Sequence, residues 1–153
     1  MRLLTILLVA ALAACSSSAP SKAVSADEAG GLLIDRNWLD RMPETERDRL
    51  FVYRFVPNMG GGVFQDRTLF KGTFELFSFT ADGARIRFVL HETKQDVTSP
   101  FTIEPIDGPA PFDLKLTIPE DPRGPKVYYG IRAETDRDGT RLQARLSSIS
   151  PAR

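Results

Sequence analysis

Residues 81–90 read Ala-Asp-Gly-Ala-Arg-Ile-Arg-Phe-Val-Leu, and this stretch decides the fold class. From Ile86 to Leu90 every second side chain is apolar, and arginines occupy two of the three positions that alternate with them. A period of two is typical of a β-strand with one buried face and one solvated face. Asp82-Gly83 is a turn dipeptide that fits a tight connection to the apolar segment before it. The stretch therefore predicts a strand that forms a hairpin with its predecessor.

Seven more segments on either side carry a similar pattern, although some are less regular. Prolines and turn residues fall between them, and residues 136–139 (Asp-Arg-Asp-Gly) predict the turn before the last segment. Only Pro105 lies inside a segment, which marks that strand as an edge or bulged strand. This spacing indicates an all-β domain: a single antiparallel meander barrel of about eight strands, with a β-sandwich as the alternative. The seven segments are 51–56, 63–70, 73–80, 101–106, 112–118, 127–133 and 141–146.

Two parts of this pattern leave alternatives open. Ile34, Trp38 and Met42 have helical spacing, but we expect a short strand at Trp38, entered through a turn. In residues 74–79, apolar side chains occupy both the odd-numbered and the even-numbered positions, which point to opposite faces of a strand. That strand is therefore either covered on both faces or contains a bulge that exchanges its faces.

Composition and charge exclude several classes of protein. The 153 residues include 20 basic and 20 acidic side chains, so the chain lacks the excess positive charge of a protein that binds nucleic acid through its phosphates. One cysteine cannot form an internal disulfide, and one histidine cannot build a His-rich metal site. We therefore predict no nucleic-acid partner, no metal and no cofactor, and a domain that is held together by its apolar core.

The N-terminus has the pattern of a signal peptide. Arg2 precedes a largely apolar run that ends at Ala14, shorter than the roughly 20 residues that a membrane-spanning helix needs. The run closes in Leu12-Ala-Ala-Cys15, which resembles the lipobox of bacterial lipoproteins. The resemblance implies a diacylglycerol thioether on Cys15, cleavage before it and acylation of the new amino group. The alternative is an ordinary secretory signal in which the cysteine is incidental.

These features divide the chain into three parts. Residues 1–14 form the signal peptide, residues 15–31 the lipidated Cys15 with a flexible Ser/Ala/Gly-rich tether, and residues 32–153 the β-barrel domain. Two or three acyl chains are enough for stable anchoring to a membrane. Because residue 16 is serine rather than aspartate, the sorting rule of the lipoproteins implies the outer membrane, with the domain facing the periplasm.

A tryptophan near the start of an antiparallel meander, in a short secreted chain, resembles the lipocalins. Position 36 is arginine, where the lipocalin Gly-x-Trp motif has glycine. The resemblance implies that Trp38 closes one end of a barrel, that Arg141 or Arg145 lies over its ring, and that the interior holds a ligand. Residues 38–79 are also similar to bacterial lipoproteins of an uncharacterised family, which implies no activity. The candidate ligand-binding residues are Trp38, Phe88, Leu90, Leu114 and Leu116.

No arrangement of residues predicts catalysis. His91 is the single histidine, alternation places it on the solvent side, and no Gly-x-Ser-x-Gly motif accompanies it. Residues 59–62 (Met-Gly-Gly-Gly) predict a hairpin loop rather than a phosphate-binding loop, because no Gly-Lys-Ser/Thr follows them.

Asp66 and Glu75 are charged groups among dense aromatic residues. If Asp66 faces inward it needs a cationic partner, because a lone buried carboxylate is costly. Arg85 and Arg87 are the candidates, since the adjacent Arg67 points to the other face.

Together these observations predict a membrane-anchored envelope lipoprotein that binds a small apolar or amphipathic ligand inside its barrel. The alternative is a structural or assembly lipoprotein that docks another envelope protein. An exposed patch of phenylalanine would favour this alternative. An enzyme is the third hypothesis.

Overall fold

The computed structural model describes residues 23–133 together with Ala144, Ser147 and Ser148. Residues 23–133 contain one α-helix, α1 (Ala26–Leu33), a short 3-10 helix at Pro57–Met59, and nine strands. The strands are β1 (Asn37–Leu39), β2 (Leu50–Val56), β3 (Gly61–Arg67), β4 (Gly72–Ala81), β5 (Arg85–Leu90), β6 (Asp96–Pro100), β7 (Thr102–Pro105), β8 (Leu114–Thr117) and β9 (Val127–Gly130).

All nine strands belong to one antiparallel sheet in the order β6-β5-β4-β3-β2-β1-β9-β8-β7, which curls into a nearly closed barrel. The edge strands β6 and β7 are separated in the chain by Phe101 alone. The backbone N–H of Phe101 donates to the carbonyl of Ala84 at 3.0 Å, so one bent segment supplies both edges. The prediction of an all-β barrel is confirmed, and the single sheet excludes the β-sandwich.

Most of the predicted strands are present. The strand predicted within residues 81–90 is β5, and Pro105 ends the edge strand β7. The sequence pattern missed β6, because its only buried side chain is Ser99. The predicted strand at 141–146 is wrong at Ala144, which is helical. Residues 136–139, with their predicted turn, and Arg141 and Arg145, expected over the tryptophan, lie outside the described residues.

The helix α1 corrects the predicted tether, since residues 26–31 are helical rather than extended linker. The Ser25 hydroxyl caps the helix by accepting from the Glu28 backbone N–H at 3.3 Å. Ala29 and Leu33 pack into the barrel core. Gly30 and Gly31 suggested a linker, but the burial of apolar residues on one face outweighs their low helix propensity. No helix among the described residues has the length and apolar character needed to cross a membrane.

Trp38 lies on a strand, as predicted, in the centre of β1. Its indole N–H donates to the backbone carbonyl of Leu33 at 2.9 Å, and the side chain is fully buried. Gly130 on β9 faces the ring so closely that a Cβ there would lie 2.9 Å from the indole carbons. Trp38 therefore ties α1 to the sheet on one side and contacts β9 on the other.

The strand β4 resolves the double pattern of residues 74–79 in a way that the sequence analysis did not anticipate. The register against β3 is continuous from Gly62↔Phe77 to Arg67↔Gly72, so no bulge exchanges the faces of the strand there. Phe77 faces the core, while Phe74 and Leu76 lie on the other face and are each 64% exposed. Neither predicted alternative, a bulge or a covered second face, is correct.

On β1 and β2 the outside of the barrel is covered. Leu39, Leu50 and Val52 point away from the barrel interior, and Phe112, from the connection between β7 and β8, packs on them. The ring of Phe112 stacks on Tyr129 with centroids 5.6 Å apart. Loops thus bury the outer face of β1 and β2, whereas the outer face of β4 keeps its apolar side chains in solvent.

Candidate functional site

The five residues predicted to line a ligand cavity do come together. Each is at most 2% exposed, and all belong to one apolar cluster in the barrel interior. They are Trp38, Phe88, Leu90, Leu114 and Leu116. Cys15, the predicted lipidation site, lies outside the described residues.

Aromatic rings fill the centre of this interior. The ring of Tyr53 lies 4.8 Å from that of Phe64 and 5.1 Å from that of Tyr128, measured between centroids. Phe77 and Phe88 follow at 5.6 and 5.9 Å. Aromatic pairs at 4.5–7 Å are in direct contact, so these rings pack against one another in the barrel interior.

Polar side chains close the barrel at the end where the connection between β8 and β9 crosses it. The Arg123 guanidinium forms a bidentate pair with Glu75, through Nε at 3.0 Å and Nη2 at 2.8 Å. It also lies 4.6 Å above the Phe77 ring and donates from Nη1 to the Tyr53 hydroxyl at 3.1 Å. The Arg123 side chain is only 4% exposed, so this arginine covers the aromatic interior.

Asp121 completes this cover from the same connection. Its carboxylate accepts from the hydroxyls of Tyr53 at 3.0 Å and Tyr128 at 2.9 Å, and from the backbone N–H of Arg123 at 2.7 Å. Burial raises the pKa of Asp121, against the lowering effect of these hydrogen bonds and of the Arg123 charge. Burial, together with the negative charge of Asp121, raises the pKa of Tyr53 and Tyr128, so both phenols stay protonated and donate.

The outer face of β4 borders a groove that the predicted residues do not include. This outer groove has a volume of about 230 Å³ and lies between β4 and the connection from β2 to β3. The strands approach closely at its floor: a Cβ on Gly61 would lie 2.1 Å from the Phe77 carbonyl oxygen, so only glycine fits there. The outer groove is lined by Val56, Met59, Gly60–Val63, Leu76, Phe77, Ser78 and His91.

Ser78 and His91 form the polar end of the outer groove. The Ser78 hydroxyl lies 3.0 Å from Nε2 of His91, which is exposed as predicted. A serine within reach of a histidine is the first requirement for a nucleophilic dyad. Here the pair stands on an open strand face, whereas acyl transfer relies on an enclosed site with a preorganised oxyanion hole. On this open face, the pair can form hydrogen bonds with a polar group that binds in the outer groove.

The apolar wall of the outer groove is exposed to a degree that is unusual for large side chains. Met59 is 77% exposed and Leu76 64%. Residues 59–62 were predicted as a hairpin loop, and they close the 3-10 helix and begin β3. Sequence reasoning missed Ser78 and Leu76, although the double pattern of residues 74–79 marked the strand that carries them.

The charged residues among the aromatics have other partners than predicted. Asp66 pairs with Arg49, whose Nε lies 2.6 Å from the carboxylate, rather than with Arg85 or Arg87. Arg87 instead pairs across the strands with Asp96, Nε to carboxylate oxygen 2.8 Å. The prediction failed because Arg49 precedes β2, and the sequence alone does not reveal that β2 and β3 are paired there.

Metal ligation has no candidate here: residues 23–133 contain no group of three or more His, Cys, Asp or Glu side chains that could hold an ion. Comparison of the chain with family models, with curated proteins and with solved structures found no match.

Proposed function

We propose that the chain is a lipid-anchored envelope protein that docks another envelope protein through its outer groove, with the barrel as a rigid scaffold. The observation that carries this proposal is the exposure of Met59 and Leu76 at the groove, beside a barrel interior in which aromatic side chains pack against one another. Contiguous exposed apolar surface is typical of interaction sites, whereas a ligand carrier keeps an interior space.

The anchor is argued from the sequence at residues 12–15. We expect wild-type protein to fractionate with membranes, and Cys15→Ala to be released from them or to remain unprocessed. Mass analysis of the N-terminal peptide should find acyl groups on residue 15. An unmodified thiol in the wild type would contradict the anchor but would leave the groove untouched.

The docking surface is tested by position-specific photo-crosslinking in living cells. A benzophenone side chain at position 76 should give one discrete adduct with a protein. The same group at position 115 should give none, because Lys115 lies on the polar outer face of β8, paired with Glu104 at 2.6 Å. Met59→Ser should weaken the adduct at position 76 without changing the stability of the domain. Equal labelling at both positions would refute a specific docking surface.

Ligand binding in the barrel is the competing outcome. Saturable quenching of Trp38 emission by a fatty acid, abolished in Leu116→Trp without loss of stability, would favour a carrier. If the interior is close-packed, the same substitution overpacks it and lowers the free energy of unfolding by about 1–3 kcal/mol. We expect destabilisation and no saturable binding.

A further inference from the structure

The four large apolar side chains that are exposed among the described residues follow one path over the barrel. Phe74 and Leu76 lie on the outer face of β4, Met59 borders the outer groove beside Leu76, and Phe70 lies at the tip of the hairpin between β3 and β4. Their exposed fractions range from 61% to 77%. Single exposed apolar residues are common, whereas a contiguous row is typical of an interaction surface. These four residues are called the apolar stripe.

The apolar stripe ends at a second cleft, which lies at the tip of the same hairpin and has a volume of about 420 Å³. The turn of the hairpin is fixed by the Thr68 backbone N–H, which donates to the Lys71 carbonyl at 2.8 Å. This hairpin cleft is lined chiefly by Arg49, Asp66, Arg67, Thr68, Lys71 and Thr73.

The charge at the hairpin cleft is positive. Its one carboxylate, Asp66, is engaged by Arg49, whose Nε lies 2.6 Å away. Among the described residues, Arg67 and Lys71 form no ion pair. A second carboxylate, Glu46, lies nearby, since its backbone carbonyl accepts a hydrogen bond from the turn at 3.4 Å. Three cations thus stand against two carboxylates, and two of the cations remain for an external anion.

The chain that leads toward Cys15 leaves the barrel at the other end of β4. The Val24 N–H donates to the Ile103 carbonyl at 3.0 Å. Gly83, in the turn between β4 and β5, lies so close to Ala26 that a Cβ would be 2.1 Å from its carbonyl oxygen. The ten residues of β4 separate this turn from the hairpin, about 30 Å of extended strand. With the anchor of the proposed function, the hairpin cleft therefore lies at the end of the barrel that is remote from the bilayer.

A second copy of the chain does not match this surface. Two copies anchored in one membrane are related by an axis perpendicular to it, so their hairpins lie side by side. Packing stripe against stripe would then bring Arg67 and Lys71 opposite the same two cations of the other copy. Like charges that face each other across an interface disfavour the association.

We propose that the apolar stripe and the hairpin cleft together bind one segment of the docked protein. Apolar side chains of this segment cover Phe74 and Leu76, and Asp or Glu carboxylates at one of its ends pair with Arg67 and Lys71. The inference rests on the proposed function and specifies the chemistry of its partner. A free phosphate would account for the cations but not for the stripe. From residue 72 to residue 78 the surface is about 20 Å long, which corresponds to about 6 residues of extended chain or about 13 of helix.

Two crosslinking reactions provide the test. In living cells, a benzophenone side chain at position 74 should label the same protein as the one at position 76, and mass spectrometry should place the adduct in an apolar peptide. In isolated envelopes, a water-soluble carbodiimide should couple the Lys71 amine to an Asp or Glu of that same segment. The reaction forms an amide bond, and the carbodiimide takes up the water that is lost. Because this reagent adds no spacer, it joins only groups that are in contact.

Charge variants sharpen the test. Arg67→Gln and Lys71→Gln should each lower the yield of the adduct at position 74 about fivefold, whereas Arg67→Lys and Lys71→Arg should keep most of it. Lys126→Gln is the matched control, because Lys126 is exposed and directly precedes β9, four strands away from β4 in the sheet. Added salt should weaken the adduct of the wild type, since the attraction between exposed charges is screened. Urea unfolding checks that each variant is folded.

The outcomes separate this inference from the proposed function. An adduct at position 76 whose yield is unchanged in the charge variants would leave the docking function standing and would refute the acidic segment. A lipid on residue 74 would make the stripe a membrane surface, and an adduct with a second copy would make it a dimer interface; either result refutes the inference. Absence of any protein adduct at positions 74 and 76 would refute the docking function itself, and the inference with it.

Discussion

Phe74 and Phe77 lie three residues apart on β4 and have opposite surroundings. Phe77 is 2% exposed, with the rings of Tyr53 and Phe55 at 5.6 and 5.7 Å and the Arg123 guanidinium at 4.6 Å. Phe74 is 64% exposed. The same residue type therefore stabilises the fold on one face of the strand and is left for a partner on the other. The comparison separates what the barrel needs for its stability from what it presents to its surroundings.

The largest effect that we expect comes from truncating these two rings in turn. Phe77→Ala should lower the free energy of unfolding by about 3–5 kcal/mol, because it removes a buried ring and leaves a cavity. Phe74→Ala should change it by no more than about 0.5 kcal/mol, since the ring has little burial to lose. Urea unfolding followed through Trp38 emission measures both variants. Comparable losses in the two would mean that the outer face of β4 is covered in the folded protein.

The sequence predicted the faces of most strands but could not predict which outer faces are covered. Alternation identified the strand 85–90 because apolar and charged positions differ sharply there. On β4 both faces carry apolar side chains, and only the three-dimensional path of the loops decides which face is buried. Phe112, far along the chain, covers the outer face of β1 and β2. The exposure of Phe74 and Leu76 is therefore a tertiary property.

A second comparison sets two carboxylates against each other: the side chains of Glu75 and Asp66 are similarly exposed, 22% and 28%, but the exposure of their arginine partners differs. Glu75→Gln should lower the free energy of unfolding by about 1.5–3 kcal/mol, because it leaves the Arg123 guanidinium, which is 4% exposed, without its anionic partner. Asp66→Asn should lower the free energy of unfolding much less, since its partner Arg49 is 65% exposed and water replaces the interaction.

Salt provides the check on this pair of variants. The loss in Glu75→Gln should persist at high ionic strength, whereas any loss in Asp66→Asn should disappear. Combining Glu75→Gln with Arg123→Met should restore part of the stability, because the unpaired charge is then gone. A double variant that loses the sum of the single losses would show that Arg123 and Glu75 act independently.

The site could be predicted only where it depends on the chain's own periodicity. Phe88, Leu90, Leu114 and Leu116 were found because their strands alternate cleanly, whereas Trp38 was found through the resemblance to the lipocalins. Ser78 lies on β4 and His91 directly follows β5, and their hydrogen bond depends on the register between these two strands. Arg123 lies between Pro122 and Gly124 in a connection without any period, so its insertion over the aromatic interior left no sequence signal.

The smallest effect that we expect is a pH dependence at the closed end of the barrel. Burial raises the pKa of Asp121 above the ordinary carboxyl value of about 3.9, so the folded state holds this proton more tightly than the unfolded state does. As pH rises from about 3.9 to the raised value, the unfolded chain releases the proton first. The contribution of Asp121 to stability is therefore present at low pH and is lost across this window.

Comparison with Asp121→Asn isolates this contribution, since the asparagine does not titrate. The pKa of Asp66 is held low by Arg49, and that of Asp96 by Arg87, but these carboxyls are the same in both proteins and cancel in the difference. Urea unfolding at a series of pH values should find that the wild type loses stability relative to Asp121→Asn as pH rises above about 3.9. Asp66→Asn is the control of opposite sign: the wild type should gain relative to that variant as pH rises toward the same value. If the wild type instead gained relative to Asp121→Asn, the hydrogen bonds from Tyr53, Tyr128 and the Arg123 backbone would outweigh burial. Asp121 would then be a favourable charge at the barrel end rather than a costly one.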